Sequence, residues 1–268
     1  MKYKMLAVDL DGTLTNNKRQ ITPHTLNTLL TLQQKGVKIV LASGRPVYGI
    51  LPPAKQLMLH QYAGYILAYN GGQIIRCDTQ QTISKTTIPP AYYSLIYERS
   101  KEHHFIIFTY HHEYIISEDA GDPCVQHSAF VNKMDALTVQ HFPDALTFPV
   151  QKFIIAGNPQ PLAQLECKLK TELKGKLNVF RSEPFFLEIV PNGIDKAAAL
   201  NILLQHAHLT PNQLVAIGDG YNDLTMIRLA GLGVAMANAQ HPLKQEADYI
   251  TTSNEKDGVA LVVEKFFN

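Results

Sequence analysis

The chain has 268 residues, enough for one large domain or two smaller ones, and its formal net charge of +1 gives no sign of a surface that binds nucleic acid. Its three cysteines lie far apart and predict neither a disulfide framework nor a zinc site, and no uncharged stretch is long enough to span a bilayer. We therefore expect a globular cytoplasmic protein that binds neither nucleic acid nor membrane.

A short apolar strand at residues 5–8 runs directly into two acidic residues, Asp9 and Asp11. If the strand geometry persists, both carboxylates lie on one face, where two unit charges about 4 Å apart repel by about 4 kcal/mol. A divalent cation, or a proton held by one acid, relieves this repulsion, and either indicates chemistry. The alternative is a strand-end turn with two solvated aspartates.

The next segments alternate between helix and strand. Thr22 and Pro23 can cap and begin a helix that Gly36 ends. Buried strands are predicted at 37–42 and 65–69. This alternation predicts a parallel, doubly wound sheet.

Near residue 88 the alternation gives way to paired strands with fewer helical connections, and it resumes from about residue 191. This change predicts an inserted α+β domain over 85–186, within a core formed by 1–84 and 187–268.

A further core strand is predicted at 213–217, and polar side chains follow three of the core strands: Asp9 after 5–8, Ser43 after 37–42 and Asp219 after 213–217. Open α/β sheets bind their ligands beyond the carboxyl ends of the strands, so these side chains are expected to meet in one crevice. Three further polar residues are expected at the same edge: Lys196, Asn222 and Asp223. A hydroxyl, an ammonium, an amide and several carboxylates suit Mg²⁺ together with a phosphate group.

Plainer structural roles remain open for several of these residues. Ser43 and Asn222 are also suitable helix caps, and Asp223 is favoured in a first helical turn by the helix dipole. Lys196 can be read as a solvated helix lysine, and Arg45 as a structural residue instead of a phosphate contact.

Two other motif readings fail at named positions. An EF-hand loop that begins at Asp9 needs a glycine and a glutamate where the chain has Leu14 and Gln20. A dinucleotide fingerprint that begins at Gly218 needs a small residue where the chain has Asp223.

The motifs Asp9–Leu14 (DLDGTL), Ser43, Lys196 and Gly218–Asp223 (GDGYND) follow one another in the order found in the haloacid dehalogenase superfamily, and the chain resembles that family over most of its length. The insert resembles a type IIB cap, as in Cof-type sugar-phosphate phosphatases. The resemblance implies an α/β fold with a doubly wound, Rossmann-like parallel sheet and an inserted α+β cap domain.

The resemblance also implies a role for each motif residue. Asp9 would attack phosphorus and form an aspartyl phosphate, and Asp11 would act as general acid and then as general base. The groups implied in phosphate binding are the Leu10 amide, Ser43, Lys196 and Asn222. The groups implied in holding Mg²⁺ are Asp9, the Asp11 backbone carbonyl, Asp219 and Asp223, the last either directly or through water.

The expected activity is Mg²⁺-dependent hydrolysis of a small phosphorylated metabolite, with sugar phosphates as the expected substrate class. One alternative is a sugar phosphomutase of the phosphomannomutase type, although the insert has only scattered basic residues to retain a bisphosphate. Another is a non-catalytic protein that binds a phosphorylated metabolite. The sequence does not indicate the substrate itself, the cap residues that select it, or the oligomeric state.

Overall fold

The chain folds into two units. In the computed structural model, which describes residues 2–267, one unit comprises residues 2–85 and 195–267 and the other comprises Thr86–Ile194. The return to the first unit, predicted at residue 187, therefore moves to Asp195. The reason is that the strand Phe186–Pro191 pairs on both sides with strands of the second unit.

The helices and strands are introduced here in chain order. The first unit begins with β1 (Met5–Val8), α1 (Pro23–Gln34), β2 (Lys38–Ala42), α2 (Val47–Gln56), β3 (Tyr65–Ala68), β4 (Gln73–Arg76) and β5 (Gln81–Lys85). The second unit contains α3 (Tyr93–Lys101), β6 (Ile106–His111), β7 (Tyr114–Ser117), α4 (Pro123–Asn132), β8 (Asp135–Thr138), α5 (Phe142–Ala145), β9 (Phe153–Ala156), α6 (Pro159–Glu172), β10 (Leu177–Glu183) and β11 (Phe186–Pro191). The first unit is completed by α7 (Lys196–His206), β12 (Leu214–Gly218), α8 (Leu224–Leu229), β13 (Leu232–Ala235), α9 (His241–Glu246), β14 (Tyr249–Ile250) and α10 (Gly258–Phe266). None of these helices is both long and apolar enough to cross a membrane.

The first unit is built on an eight-stranded sheet in the order β14-β13-β12-β1-β2-β3-β4-β5. The strands from β14 to β3 are parallel to their neighbours, and β4 and β5 add an antiparallel edge. β1 lies near the middle and is fully buried, which explains why its sequence is continuously apolar instead of alternating. This topology is the doubly wound α/β arrangement predicted from the sequence.

The parallel strands set the position of the polar residues that follow them. β1 lies between β2 and β12, so the residues after Val8, Ala42 and Gly218 all leave the sheet at the same edge. At the start of the second core segment, the Asp195 side chain accepts a hydrogen bond from the Ala198 amide and caps α7. The cap fixes Lys196 in the first turn of that helix.

The second unit contains a six-stranded sheet in the order β10-β11-β9-β6-β7-β8. All of its strand pairs are antiparallel except β7–β8. One apolar core joins the sheet to α3 and α6 and includes Tyr93, Leu165 and Phe153. The paired strands predicted for the insert include β6 and β7, which are antiparallel neighbours. No helix was predicted at α4, because its apolar residues form no continuous stripe.

Burial within the second unit leads to a stability prediction. Phe153 is fully buried, and its ring contacts those of Tyr93 and Phe142 at centroid distances of 5.2 and 5.9 Å. We expect Phe153→Ala to lower the free energy of unfolding by about 3–5 kcal/mol, because it leaves a cavity in a packed core. Urea denaturation followed by circular dichroism measures the change.

Phe130→Ala is the matched control, because the Phe130 side chain is 76% exposed. We expect this variant to stay within about 0.5 kcal/mol of the wild type. Equal losses in the two variants would contradict the assignment of Phe153 to the core.

Candidate active site

Lys196 joins two acidic residues from different parts of the chain. Its side chain is fully buried, and its ammonium donates to Oδ1 of Asp9 at 2.6 Å and to Oδ1 of Asp223 at 2.5 Å. Asp9 is placed by the sheet, because its amide continues the parallel ladder by donating to the carbonyl of Ile217. The reading of Lys196 as a solvated helix residue is therefore wrong.

Asp223 also holds the loop that follows β12. Its Oδ2 accepts hydrogen bonds from the amides of Asp219 and Gly220, both at 2.9 Å, while Oδ1 binds Lys196. A side chain at Gly218 would place its Cβ 2.5 Å from Asp223, so the loop can fold back on this carboxylate only with glycine there. Asp223 thus fixes both the lysine and the backbone of the Asp219 loop.

The turn after Asp11 packs against Asp219. The Thr13 hydroxyl donates to Oδ1 of Asp219 at 2.7 Å. Gly12 has a φ of +79°, and a Cβ at this position would lie 2.4 Å from Oδ2 of Asp219. The Asn238 side chain donates to the Gly12 carbonyl at 2.8 Å and holds the turn in place.

Asp9, Asp219 and Asp223 form an acidic cluster in which one carboxylate oxygen from each lies within 4.8 Å of the others. Burial, followed by the charge of Asp223, raises the pKa of Asp9 well above its ordinary value. Burial also raises the pKa of Asp219 to about 6, although the hydrogen bond from Thr13 opposes this shift. For Lys196, burial alone would lower the pKa, but Asp223 and Asp9 outweigh it and raise the pKa above its ordinary value.

The donor set of this cluster fits Mg²⁺. Three ionised carboxylates and one ammonium leave two negative charges uncompensated, which one divalent cation balances. Carboxylate oxygens are the ligands that Mg²⁺ prefers.

Asp11 does not join this cluster through its side chain. Its carboxylate receives two hydrogen bonds from the Arg45 guanidinium, the one from Nε at 2.7 Å. The shared face predicted for Asp9 and Asp11 required the strand to continue, but β1 ends at Val8 and the chain turns. Consequently Asp9 is buried against Lys196, whereas the Asp11 side chain is half exposed beside Arg45.

The residues predicted to bind phosphate lie at the same sheet edge. Ser43 follows β2, is buried, and its hydroxyl accepts a bond from the Arg45 amide at 3.2 Å. The Asn222 amide nitrogen donates to Oδ1 of Asn70 at 2.9 Å. Within residues 2–267, the backbone N–H group of Leu10 has no hydrogen-bond acceptor, so it is available to a ligand. The phosphate contacts of these groups stay predictions.

Three residues of this site have roles that the motifs did not indicate. Arg45 pairs with Asp11, Asn70 pairs with Asn222, and Asn238 holds the Gly12 turn. For Asn70 and Asn238 a signal was present, because each is a polar residue that closely follows a core strand, β3 and β13 respectively. No sequence pattern, however, identified their partners.

Comparison with known proteins supports the fold. The model of the haloacid dehalogenase-like hydrolase family matches residues 6–263. "Putative phosphatase YxeH" of Bacillus subtilis is 32% identical over 96% of this chain and 96% of its own length. A solved haloacid dehalogenase-like hydrolase from Bacteroides thetaiotaomicron is 47% identical, with a TM-score of 0.97 over 99% of this chain and 100% of its own. The HAD subclass IIB sugar phosphatase BT4131 is 22% identical, with a TM-score of 0.84 over 98% of this chain and 99% of its own, and shows a shared fold alone. The predicted fold class is thereby confirmed.

The raised pKa of Asp219 leads to a prediction about metal-free stability. Its pKa of about 6 in the folded protein exceeds the ordinary value of 3.8, so between these pH values the folded state binds more protons than the unfolded state. This group therefore lowers stability as the pH rises through that window. We expect Asp219→Asn to be more stable than the wild type at pH 7.5 without metal, with the difference shrinking towards pH 4, as measured by urea denaturation in EDTA.

The control is Asp135→Asn, which removes the same charge from an exposed position. For this variant, we expect the difference in unfolding free energy from the wild type to stay constant between pH 4 and pH 7.5. An Asp219→Asn variant that is less stable than the wild type at pH 7.5 would contradict the destabilising role given to this carboxylate.

Proposed function

Because the chain belongs to the haloacid dehalogenase-like hydrolase family, we propose that its phosphatase activity is a Mg²⁺-dependent hydrolysis of small phosphorylated metabolites through an aspartyl phosphate. The observation that carries this proposal is the buried Lys196 ammonium, which lies between Asp9 and Asp223 in a cluster that includes Asp219. The arrangement combines a fixed carboxylate nucleophile with positive charge beside it.

In the first step, a carboxylate oxygen of Asp9 forms a bond to phosphorus while the bond from phosphorus to the ester oxygen breaks. Asp11 gives its proton to the departing oxygen, which leaves as an alcohol. In the structure both oxygens of the Asp11 carboxylate accept hydrogen bonds from the Arg45 guanidinium, so this ion pair has to open before Asp11 can act as the acid.

In the second step, Asp11 takes a proton from water, and the water oxygen attacks phosphorus. The bond between phosphorus and Asp9 breaks, so that free phosphate is released and both carboxylates regain their starting states. Over one cycle, Asp11 thus gives one proton to the leaving group and regains one from water.

The main electrostatic obstacle is the approach of Asp9 to a phosphate dianion, which costs about 8 kcal/mol at about 4 Å, twice the repulsion of a single pair of charges. The ammonium of Lys196 offsets part of it, and bound Mg²⁺ would supply two further positive charges at the reacting phosphate. Asp9, Asp219 and the Asp11 carbonyl would hold that ion, with Asp223 binding it directly or through water. The phosphate oxygens are bound by Ser43, Lys196, Asn222 and the Leu10 amide.

The proposed substrate class is a sugar phosphate. The class is taken by analogy with BT4131, a sugar phosphatase of the same fold, whereas the relative from Bacillus subtilis is named only as a phosphatase. A panel of phosphorylated metabolites, assayed by released phosphate, tests the class. Conversion of a hexose 1-phosphate in the presence of a bisphosphate activator, without release of phosphate, would instead indicate a mutase.

The role of Asp9 is tested by Asp9→Asn. We expect turnover of p-nitrophenyl phosphate to fall by roughly 10³- to 10⁶-fold, because the amide is a far weaker nucleophile. The fold should persist, since the amide oxygen can still accept the hydrogen bond from Lys196. Acid-quenched mass spectrometry should show a phosphorylated species for the wild type and none for this variant. Near-normal turnover in Asp9→Asn would refute the covalent mechanism.

The metal assignment is tested by thermal shift. We expect MgCl₂ to raise the melting temperature of the wild type at pH 7.5, since an ion at 100 times its Kd stabilises the folded state by about 2.7 kcal/mol. The shift should decrease at pH 5, because protons then occupy Asp219, whose pKa is about 6. Asp219→Asn should lose most of the shift and Asp135→Asn should keep it. A full shift in Asp219→Asn would contradict the proposed ligand set.

A further inference from the structure

The turn that follows β3 has an unusual backbone. Tyr69, Asn70 and Gly71 all have positive φ, at 53°, 56° and 105°. Only glycine adopts this region freely, asparagine tolerates it, and a bulky residue such as tyrosine is disfavoured there. The Tyr69 amide donates to the carbonyl of Arg45 and the Asn70 amide donates to the carbonyl of Ser43, so contacts with the segment after β2 hold the turn in this conformation. Strained backbone maintained in this way is typical of functional sites.

The turn also contacts the start of α7. A Cβ at Gly71 would lie 2.6 Å from the Asp195 carbonyl oxygen and 2.9 Å from the Cβ of Ala199. The backbone of the turn therefore packs directly on the residue that precedes Lys196.

The Asn70 side chain completes a third contact, with Asn222. Its Oδ1 accepts the hydrogen bond from the Asn222 amide nitrogen at 2.9 Å, and its Nδ2 would lie 3.1 Å from a Cβ placed on Gly44. The amide oxygen of Asn222 faces its own loop, since a Cβ on Gly220 would lie 2.7 Å from it. The bond to Asn70 therefore fixes the side chain of Asn222 with its NH₂ group directed away from that loop.

We propose that Asn70 is a positioning residue for phosphate binding and that it acts through Asn222. This inference rests on the proposed function, because Ser43, Lys196 and Asn222 are the residues assigned to the phosphate. Without the acceptor on Asn70, the Asn222 amide can rotate and present its oxygen, which repels an anion. Asn70 thus ensures that an N–H donor faces the phosphate.

The test is Asn70→Gly, which keeps the positive φ but removes the side chain. We expect the KM for p-nitrophenyl phosphate and the Ki for inorganic phosphate to rise about 10-fold, the ratio that corresponds to one hydrogen bond to a charged group, with kcat changed by less than about 3-fold. Gln80→Gly is the matched control, because Gln80 has the same φ of 56° in an exposed turn. It should leave both constants unchanged.

A double-mutant cycle separates positioning from a general structural effect. In the Asn222→Ala background, Asn70→Gly should change the Ki for phosphate by less than about 2-fold, because its effect is transmitted through Asn222. The proposal would be overturned if the fold-changes in Ki of the two single variants multiplied in the double variant. A wild-type Ki in Asn70→Gly alone would also overturn it. If glycine at position 70 lowers the melting temperature, Asn70→Ser serves instead, since its shorter hydroxyl also leaves Asn222 without its acceptor.

Failure of this inference is distinguishable from failure of the proposed function. A wild-type protein that releases no phosphate from any ester, or an Asp9→Asn variant with full turnover, would overturn the function itself. A wild type that turns over, with Asp9→Asn inactive and Asn70→Gly unaffected in Ki, would overturn the role of Asn70 alone.

Discussion

The buried ammonium of Lys196 holds together carboxylates that would otherwise repel one another. Two unit charges about 4 Å apart near a protein surface repel by about 4 kcal/mol, and this site brings Asp9, Asp219 and Asp223 together. The lysine bonds to two of them at 2.5–2.6 Å and is itself fully buried. Removing one partner of such a buried pair typically costs 3–5 kcal/mol, so lysine and acids depend on each other.

The sheet makes this arrangement possible. β1 lies between β2 and β12, so Asp9, Ser43 and Asp219 leave parallel neighbours at one edge. Lys196 does not follow a strand; it is the first residue of α7, which Asp195 caps. The acids of the cluster have different hydrogen-bond donors: Asp219 accepts from the Thr13 hydroxyl, while Asp223 accepts from backbone amides. The cluster retains an excess of negative charge, which a divalent cation is suited to balance.

A second layer of side chains surrounds the residues proposed to react. Arg45 holds Asp11, Asn70 holds Asn222, and Asn238 holds the turn at Gly12. Each of these supports comes from a different strand end. The orientation of each reactive group is therefore set by an element remote from it in sequence, as expected where geometry must be kept within fractions of an ångström.

The sequence by itself determined the strand–helix alternation, the insert and the motif residues, because buried parallel strands require continuous apolar runs and the catalytic chemistry requires particular side chains. The sequence could not determine which side chains and strands contact one another. A shared face for Asp9 and Asp11 was expected only if the strand continued, but β1 ends at Val8 and the two side chains bind Lys196 and Arg45 respectively. The return from the insert was placed too early because Phe186–Pro191 has the same apolar character whichever sheet it joins. Only the tertiary structure decided which groups meet, since hydrogen bonds and ion pairs depend on distances between segments that are far apart along the chain.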